Sequence, residues 1–238
     1  MFDFTGRVVM VTGAAGNLGS AVARAFLDAG ARSCLLDVSE DRLLRRHPDL
    51  ASAPDNHLLT AVDAGDPDSM QAAVDEAVRR LGRIDVLVNT VGGFRAGRPV
   101  HKTSMEEWDG MMNLNARPAF IASRAVVPYM LRQGSGKIIH IAARPGLQGR
   151  ANSGAYAASK SAVLRLTESL SAELRDSGIN VNCVIPGTLD TPPNREAMPE
   201  ADTSRWVSPD SLAEVILFLA SPATRDIHGA AIPVYGRT

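Results

Sequence analysis

VVMVTGAAGNLGSAVARAFLDAG, residues 8–30, decides the fold. An apolar run, Val8 to Val11, leads into Gly13, Gly16 and Gly19, and apolar residues at helical spacing follow. That order reads as strand, glycine turn and helix, the opening of a βαβ unit. Here Gly13 permits a tight turn, Gly16 lets the backbone approach a pyrophosphate, and Gly19 allows close packing of the helix, whose N-terminus faces the phosphates. Asn17 and Leu18 lie in the same phosphate-facing turn.

The next apolar run, SCLLDV, ends on Asp37, eighteen residues beyond Gly19. A carboxylate there accepts hydrogen bonds from an adenosine ribose and repels a 2′-phosphate, which favours NAD(H) over NADP(H). The alternative is that the glycines only make a turn and Asp37 only caps the next helix. Asp63 ends a third run, where it meets the adenine or is a simple loop carboxylate. Asn89 and Gly92, in VLVNTVGG, end a fourth run where close backbone approach to the cofactor is expected.

Working outward, seven such runs recur: RVVMVT, SCLLD, NHLLTAV, DVLVNT, KIIHIA, INVNCVI and AAIPVY. Helical patterns separate most of them. Strands apolar on both faces, alternating with helices, specify an α/β fold: one Rossmann-type doubly wound domain over 1–238, with a seven-stranded parallel sheet flanked by helices. Helix starts are marked by Asp66 before Pro67, by a Ser104–Glu107 capping box and by Ser208 before Pro209. Residues 189–208, LDTPPNREAMPEADTSRWVS, break the rhythm and are expected to form an irregular substrate-covering loop.

Length and charge narrow the function. The 238 residues suffice for one substantial core, and 25 Lys+Arg against 26 Asp+Glu give a net charge of -1 with no basic stripe for nucleic acid. A small molecule is the expected partner. Cys34 and Cys183 sit in separate apolar runs and read as buried thiols, as in a reducing compartment. Residues 1–12 pass almost directly into a strand, and no uncharged apolar run reaches membrane-spanning length, so no membrane association and a cytoplasmic location are expected. The histidines lack ligand spacing, and no metal is assigned; His47 is read as lying in a polar turn.

GAYAASKSAVLRLTESLSAEL, residues 154–174, puts Tyr156 and Lys160 one helical turn apart. A cation beside a phenol lowers its pKa from about 10, which makes Tyr156 a usable proton donor near neutral pH. With the glycine loop, this pair makes the chain resemble the short-chain dehydrogenase/reductase family along essentially its whole length. TGAAGNLG is similar to the family's cofactor loop, NTVG to its fourth-strand motif, MNLNARPAF to the segment carrying its active-site asparagine, YAASK to its catalytic pair, and PGTLDT to its nicotinamide-side turn.

The resemblance implies that Tyr156 supplies the proton, that Lys160 binds the nicotinamide ribose and tunes Tyr156, and that Asn115 holds a relay water. It also implies that Pro186, Gly187 and Thr191 line the nicotinamide end. Family members commonly pair this helix with its neighbour, and small residues at Ala157, Ser161, Ala162 and Ser169 would admit an identical helix, so a homodimer or homotetramer is expected.

Three departures stand out. The glycines follow GxxGxxG with Asn17 in a usual glycine place; the terminal VYGR lacks a second glycine; and Ala143 occupies the position, thirteen residues before the tyrosine, where typical members carry a serine. Losing a donor to the substrate oxygen costs about 2.7–4 kcal/mol of transition-state stabilisation. Either Arg144 or Gln148 replaces it, or the substrate needs less help. Ala143–Arg144 and the later TLDTPPNREAMPEADTSRW resemble the dihydropteridine reductase branch, whose quinonoid substrate is already electron-poor. Within that loop Trp206 either closes over the substrate or packs against the body. The readings left are a reductase of a conjugated acceptor, an ordinary carbonyl reductase or alcohol dehydrogenase, and a non-catalytic NAD(H)-sensing module.

Overall fold

A computed structural model describes residues 2–237. Seven strands form one sheet: β1 (Val8–Thr12), β2 (Arg32–Asp37), β3 (His57–Ala61), β4 (Val86–Asn89), β5 (Gly136–Ile141), β6 (Ile179–Pro186) and β7 (Ala231–Val234). Their spatial order is β3-β2-β1-β4-β5-β6-β7, and every pairing is parallel. The chain order reverses between β1 and β4, which opens a crevice beyond the carboxyl ends of those strands.

Among the described residues nine α-helices lie in the connections between strands: α1 (Asn17–Asp28), α2 (Glu40–Arg46), α3 (Pro67–Leu81), α4 (Met105–Met111), α5 (Arg117–Gln133), α6 (Arg144–Leu147), α7 (Gly154–Leu174), α8 (Pro192–Ala197) and α9 (Pro209–Ala220). The start signals act as expected. Asp66 accepts from Asp68 N–H at 3.1 Å, Ser104 and Glu107 close both halves of a capping box, and Ser208 accepts from Ser211 N–H at 3.1 Å.

Strand alternation divides the core. Val9, Val11, Leu35 and Val88 pack with Val22 and Phe26 of α1 and Leu212 and Ile216 of α9. Val8, Met10, Leu36 and Leu87 pack with Met70 and Val74 of α3 and Val126 and Met130 of α5 on the opposite face. At the amino end of the sheet, buried Asp85 accepts from Val8 N–H and from the guanidiniums of Arg7 and Arg83, each at 2.9 Å. The sheet's far end is thereby tied, and the carboxyl end is left to the loops.

Three expectations need correction. Residues 189–208 are not irregular throughout: they hold α8 and a 3₁₀ turn at Thr203–Arg205, and a parallel bridge joins Leu189 to Val207. The four small residues on α7 are not one free face, because Ala157 is buried and the Ser161 hydroxyl donates to the Gly146 carbonyl of α6 at 2.6 Å. His47 is not in a polar turn. It is buried, and its Nε2–H donates to the Ala14 carbonyl in the glycine loop at 3.0 Å. Cys34 and Cys183 are buried free thiols, with burial pushing Cys34 up to about 12 and Cys183 up to about 11.

Candidate active site

The glycine loop crosses the crevice between β1 and β4. Gly13 has φ 69°, a left-handed conformation that glycine adopts without strain. A Cβ on Gly19 would be driven into the Gly13 carbonyl, so only glycine fits at position 19. No side chain caps α1, whose first-turn N–H groups lack intrahelical partners. These groups, with glycine at 13, 16 and 19, form a cradle that fits a pyrophosphate. Asn17 and Thr191 border one cavity of about 410 Å³ beside it. The buried Thr191 hydroxyl also caps α8, accepting from Asn194 N–H at 3.4 Å.

The other predicted cofactor residues divide by environment. Asp37 ends β2 beside the loop, where its Oδ2 accepts Ala15 N–H at 3.0 Å; Ser39, not Asp37, is the N-cap of α2. Asp63 folds onto its own turn, accepting Gly65 N–H at 2.8 Å, which agrees with the loop-carboxylate reading. The Asn89 side chain turns into the sheet: its amide meets His140 Nδ1 at 3.1 Å and its oxygen accepts from Thr12 at 3.4 Å. It therefore ties strands together and does not project toward the crevice. Pro186 ends β6, and Gly187 N–H donates to the Val234 carbonyl at 2.8 Å.

Asn115 and Lys160 meet at Gly92 and Gly93, and Tyr156 packs against the adjacent Phe94. A π-type turn, Met112–Ala116, joins α4 to α5, and such turns often mark functional positions. From it Asn115 accepts Gly93 N–H at 3.0 Å, while its Nδ2 donates to the Gly93 carbonyl and to the Ser159 hydroxyl, each at 3.1 Å. Ser159 donates in turn to the Tyr156 carbonyl at 2.8 Å, so one buried hydroxyl connects the asparagine to α7. A Cβ on Gly92 would stand 2.8 Å from Asn115 Oδ1 and 3.2 Å from Lys160 Nζ. Only a glycine leaves both groups in place.

The electrostatics reverse one expectation. Burial alone raises Tyr156 to about 12, and burial lowers Lys160 to about 8. Desolvation of the phenol is the cause of the upward shift, and the Lys160 Nζ donates to the Ile141 carbonyl at 3.0 Å. At pH 7 Tyr156 is a protonated phenol.

Beyond this cluster, Ala143 is buried and contributes no hydroxyl. Arg144 lies over the Tyr235 ring, 5.0 Å from its centroid. Gln148 is exposed at the end of α6, and Trp206 is half-buried after the 3₁₀ turn. Two residues of the site were missed from sequence. Ser159 stood inside YAASK but was masked by its neighbours. Phe94 packs edge-to-face against Tyr156, centroids 4.8 Å apart, yet is 66% exposed. Its signal was a large apolar residue directly after the glycine pair.

A family model described as short chain dehydrogenase matches residues 7–202. The chain belongs to the short-chain dehydrogenase family. This short-chain dehydrogenase is 33% identical to the 3-oxoacyl-[acyl-carrier-protein] reductase FabG of Thermotoga maritima, over 97% of each chain. It is also 34% identical to 2-(R)-hydroxypropyl-CoM dehydrogenase of Xanthobacter autotrophicus, over 97% of each chain. D-threitol dehydrogenase of Mycolicibacterium smegmatis matches at 33% identity, over 99% of this chain and 94% of that protein. The solved structure of gox2181 superposes with a TM-score of 0.91 at 30% identity, covering 98% of this chain and 96% of that one. The protein is thus an oxidoreductase enzyme of a family that works with NAD(P)(H) on small molecules and is commonly oligomeric. Among the described residues no helix is long and apolar enough to cross a membrane.

Proposed function

We propose that this short-chain dehydrogenase is a cytoplasmic, single-domain, NAD(H)-dependent reductase of a small conjugated, electron-poor acceptor, with a quinonoid dihydropteridine as the sharpest substrate assignment. Ala143 carries the reading. At the place where a hydroxyl would polarise a substrate carbonyl there is a buried methyl group, and an acceptor that regains aromaticity on reduction depends least on that donor. Asp37 beside the glycine loop supports NAD(H) over NADP(H). The loop resemblance to dihydropteridine reductase supports the pterin.

In this reading bound NAD(H) supplies the hydride. Tyr156, held protonated by burial, gives its proton to the reduced acceptor, and the charged Lys160 one turn away favours the phenolate left behind. Asn115 fixes the Gly93 backbone and positions water for re-protonation. Gly13, Gly16, Asn17, Leu18 and Gly19 hold the pyrophosphate, and Thr191 with Pro186 and Gly187 bounds the nicotinamide end. Arg144, Gln148 and Trp206 face the acceptor under a 189–208 cover, and copies of the chain associate as a homodimer or homotetramer.

A second reading, a carbonyl reductase or alcohol dehydrogenase, is favoured by the relatives, whose names include a 3-oxoacyl reductase, D-threitol dehydrogenase and levodione reductase. It requires Arg144 or Gln148 to replace the missing hydroxyl. The non-catalytic sensing module has no such support. NADH oxidation by the purified protein separates the first two, with freshly generated quinonoid dihydropterin and a ketone panel run side by side. Pterin-dependent turnover above the non-enzymatic rate supports the first; turnover of ketones alone overturns it.

A further inference from the structure

The carboxylate expected to receive the adenosine ribose already has three donors. Asp37 Oδ2 accepts Ala15 N–H at 3.0 Å, and Oδ1 accepts both Val38 N–H at 3.0 Å and the Arg42 guanidinium at 2.8 Å. An ionised carboxylate offers about four lone-pair sites. One is left, on Oδ2, whereas a ribose diol brings two O–H donors. The two backbone donors are fixed by the glycine loop and by the end of β2. Arg42 differs: its side chain is 46% exposed against 5% for Asp37, so it is the partner free to leave. Once displaced, it still hangs from the first turn of α2 beside the same carboxylate, presenting a planar fork of donors suited to phosphate.

We propose that Arg42 is a specificity-determining residue that narrows the discrimination between NAD(H) and NADP(H). Toward NAD(H) it competes with the ribose hydroxyls for Asp37, which weakens binding. Toward NADP(H) it pairs with the 2′-phosphate and offsets the repulsion from Asp37, which strengthens binding. The proposal rests on the reading that the ribose lies against Asp37.

Fluorescence titration of the full-length protein with NADH and with NADPH tests it, using Arg42→Gln, Arg42→Lys, Asp37→Asn and the Asp37→Asn/Arg42→Gln double variant. Arg42→Gln is expected to bind NADH about threefold more tightly and NADPH about tenfold more weakly, tenfold being about 1.4 kcal/mol. Arg42→Lys, which keeps the charge without the fork, falls between. Asp37→Asn shifts preference toward NADPH, and that shift is smaller when measured in the Arg42→Gln background than in the parent, a coupling that independent residues would not show. An unchanged NADH-to-NADPH ratio in Arg42→Gln, with Asp37→Asn still shifting it, overturns the role of Arg42 alone. If Asp37→Asn also leaves the ratio unchanged, the ribose does not lie at Asp37, and the cofactor-site reading fails with the proposal.

Discussion

Asn115 holds both main-chain polar groups of Gly93, accepting its N–H at 3.0 Å and donating to its carbonyl at 3.1 Å. The loop after β4 is thereby fastened to the turn between α4 and α5, and through Ser159 to α7. Replacing Asn115 by Leu leaves those groups without partners, at about 1–3 kcal/mol for a buried unsatisfied group. Urea denaturation of Asn115→Leu should register that loss, and turnover should fall at least tenfold; wild-type turnover would refute the fastening role.

Tyr156→Phe removes the transferable proton and keeps the ring against Phe94. Turnover is expected to drop by about 10²–10⁴, while NADH affinity changes only a few-fold. Steady-state rates and a nucleotide titration on the same preparation check this, and parallel loss of both would point to a structural role for the tyrosine.

Gly92→Ala places a methyl group 2.8 Å from Asn115 Oδ1 and 3.2 Å from Lys160 Nζ. Overpacking of this kind costs about 1–3 kcal/mol, here at the two groups to which the proposed function assigns the chemistry. The variant should fold, with a circular dichroism spectrum like the parent's, and lose at least about 90% of its activity, one tenfold step per 1.36 kcal/mol. Retention of full activity would show that Asn115 and Lys160 tolerate displacement.

His140 predicts an acid limit to stability. It is fully buried between Asn89 and Ser123, and burial first, then the Lys160 charge, pull its pKa down to about 4. Between that value and the ordinary 6.5, the unfolded chain binds a proton that the folded chain refuses. Stability from this site is therefore complete above pH 6.5 and is lost as pH falls toward 4, by on the order of 3 kcal/mol. Denaturant melts at steps across that window should show the decline, and His140→Gln should flatten it; an equal slope in both proteins would assign the proton uptake elsewhere.

Much of this was legible in sequence because it depends on local order. Seven apolar runs became seven parallel strands, and Asp66, Ser104 and Ser208 capped helices where their neighbours implied. What escaped depends on distant partners. The burial of His47 requires the Ala14 carbonyl, 33 residues earlier. The tyrosine shift is upward because the phenol is buried, which the spacing of Tyr156 and Lys160 along the helix does not show. The partner of the Asn89 side chain, His140, lies a strand away and 51 residues later. Short helices within 189–208 were hidden by prolines, which read as loop when they in fact start α8.

The bridge between Leu189 and Val207 has a thermodynamic consequence. Asp190 N–H donates to the Val207 carbonyl at 2.8 Å and Val207 N–H to the Thr188 carbonyl at 2.9 Å, so both ends of the segment are joined before anything binds. The entropy of bringing those ends together belongs to folding and not to ligand capture. If the segment covers the substrate, as the proposed function has it, it settles there at little further cost in chain freedom.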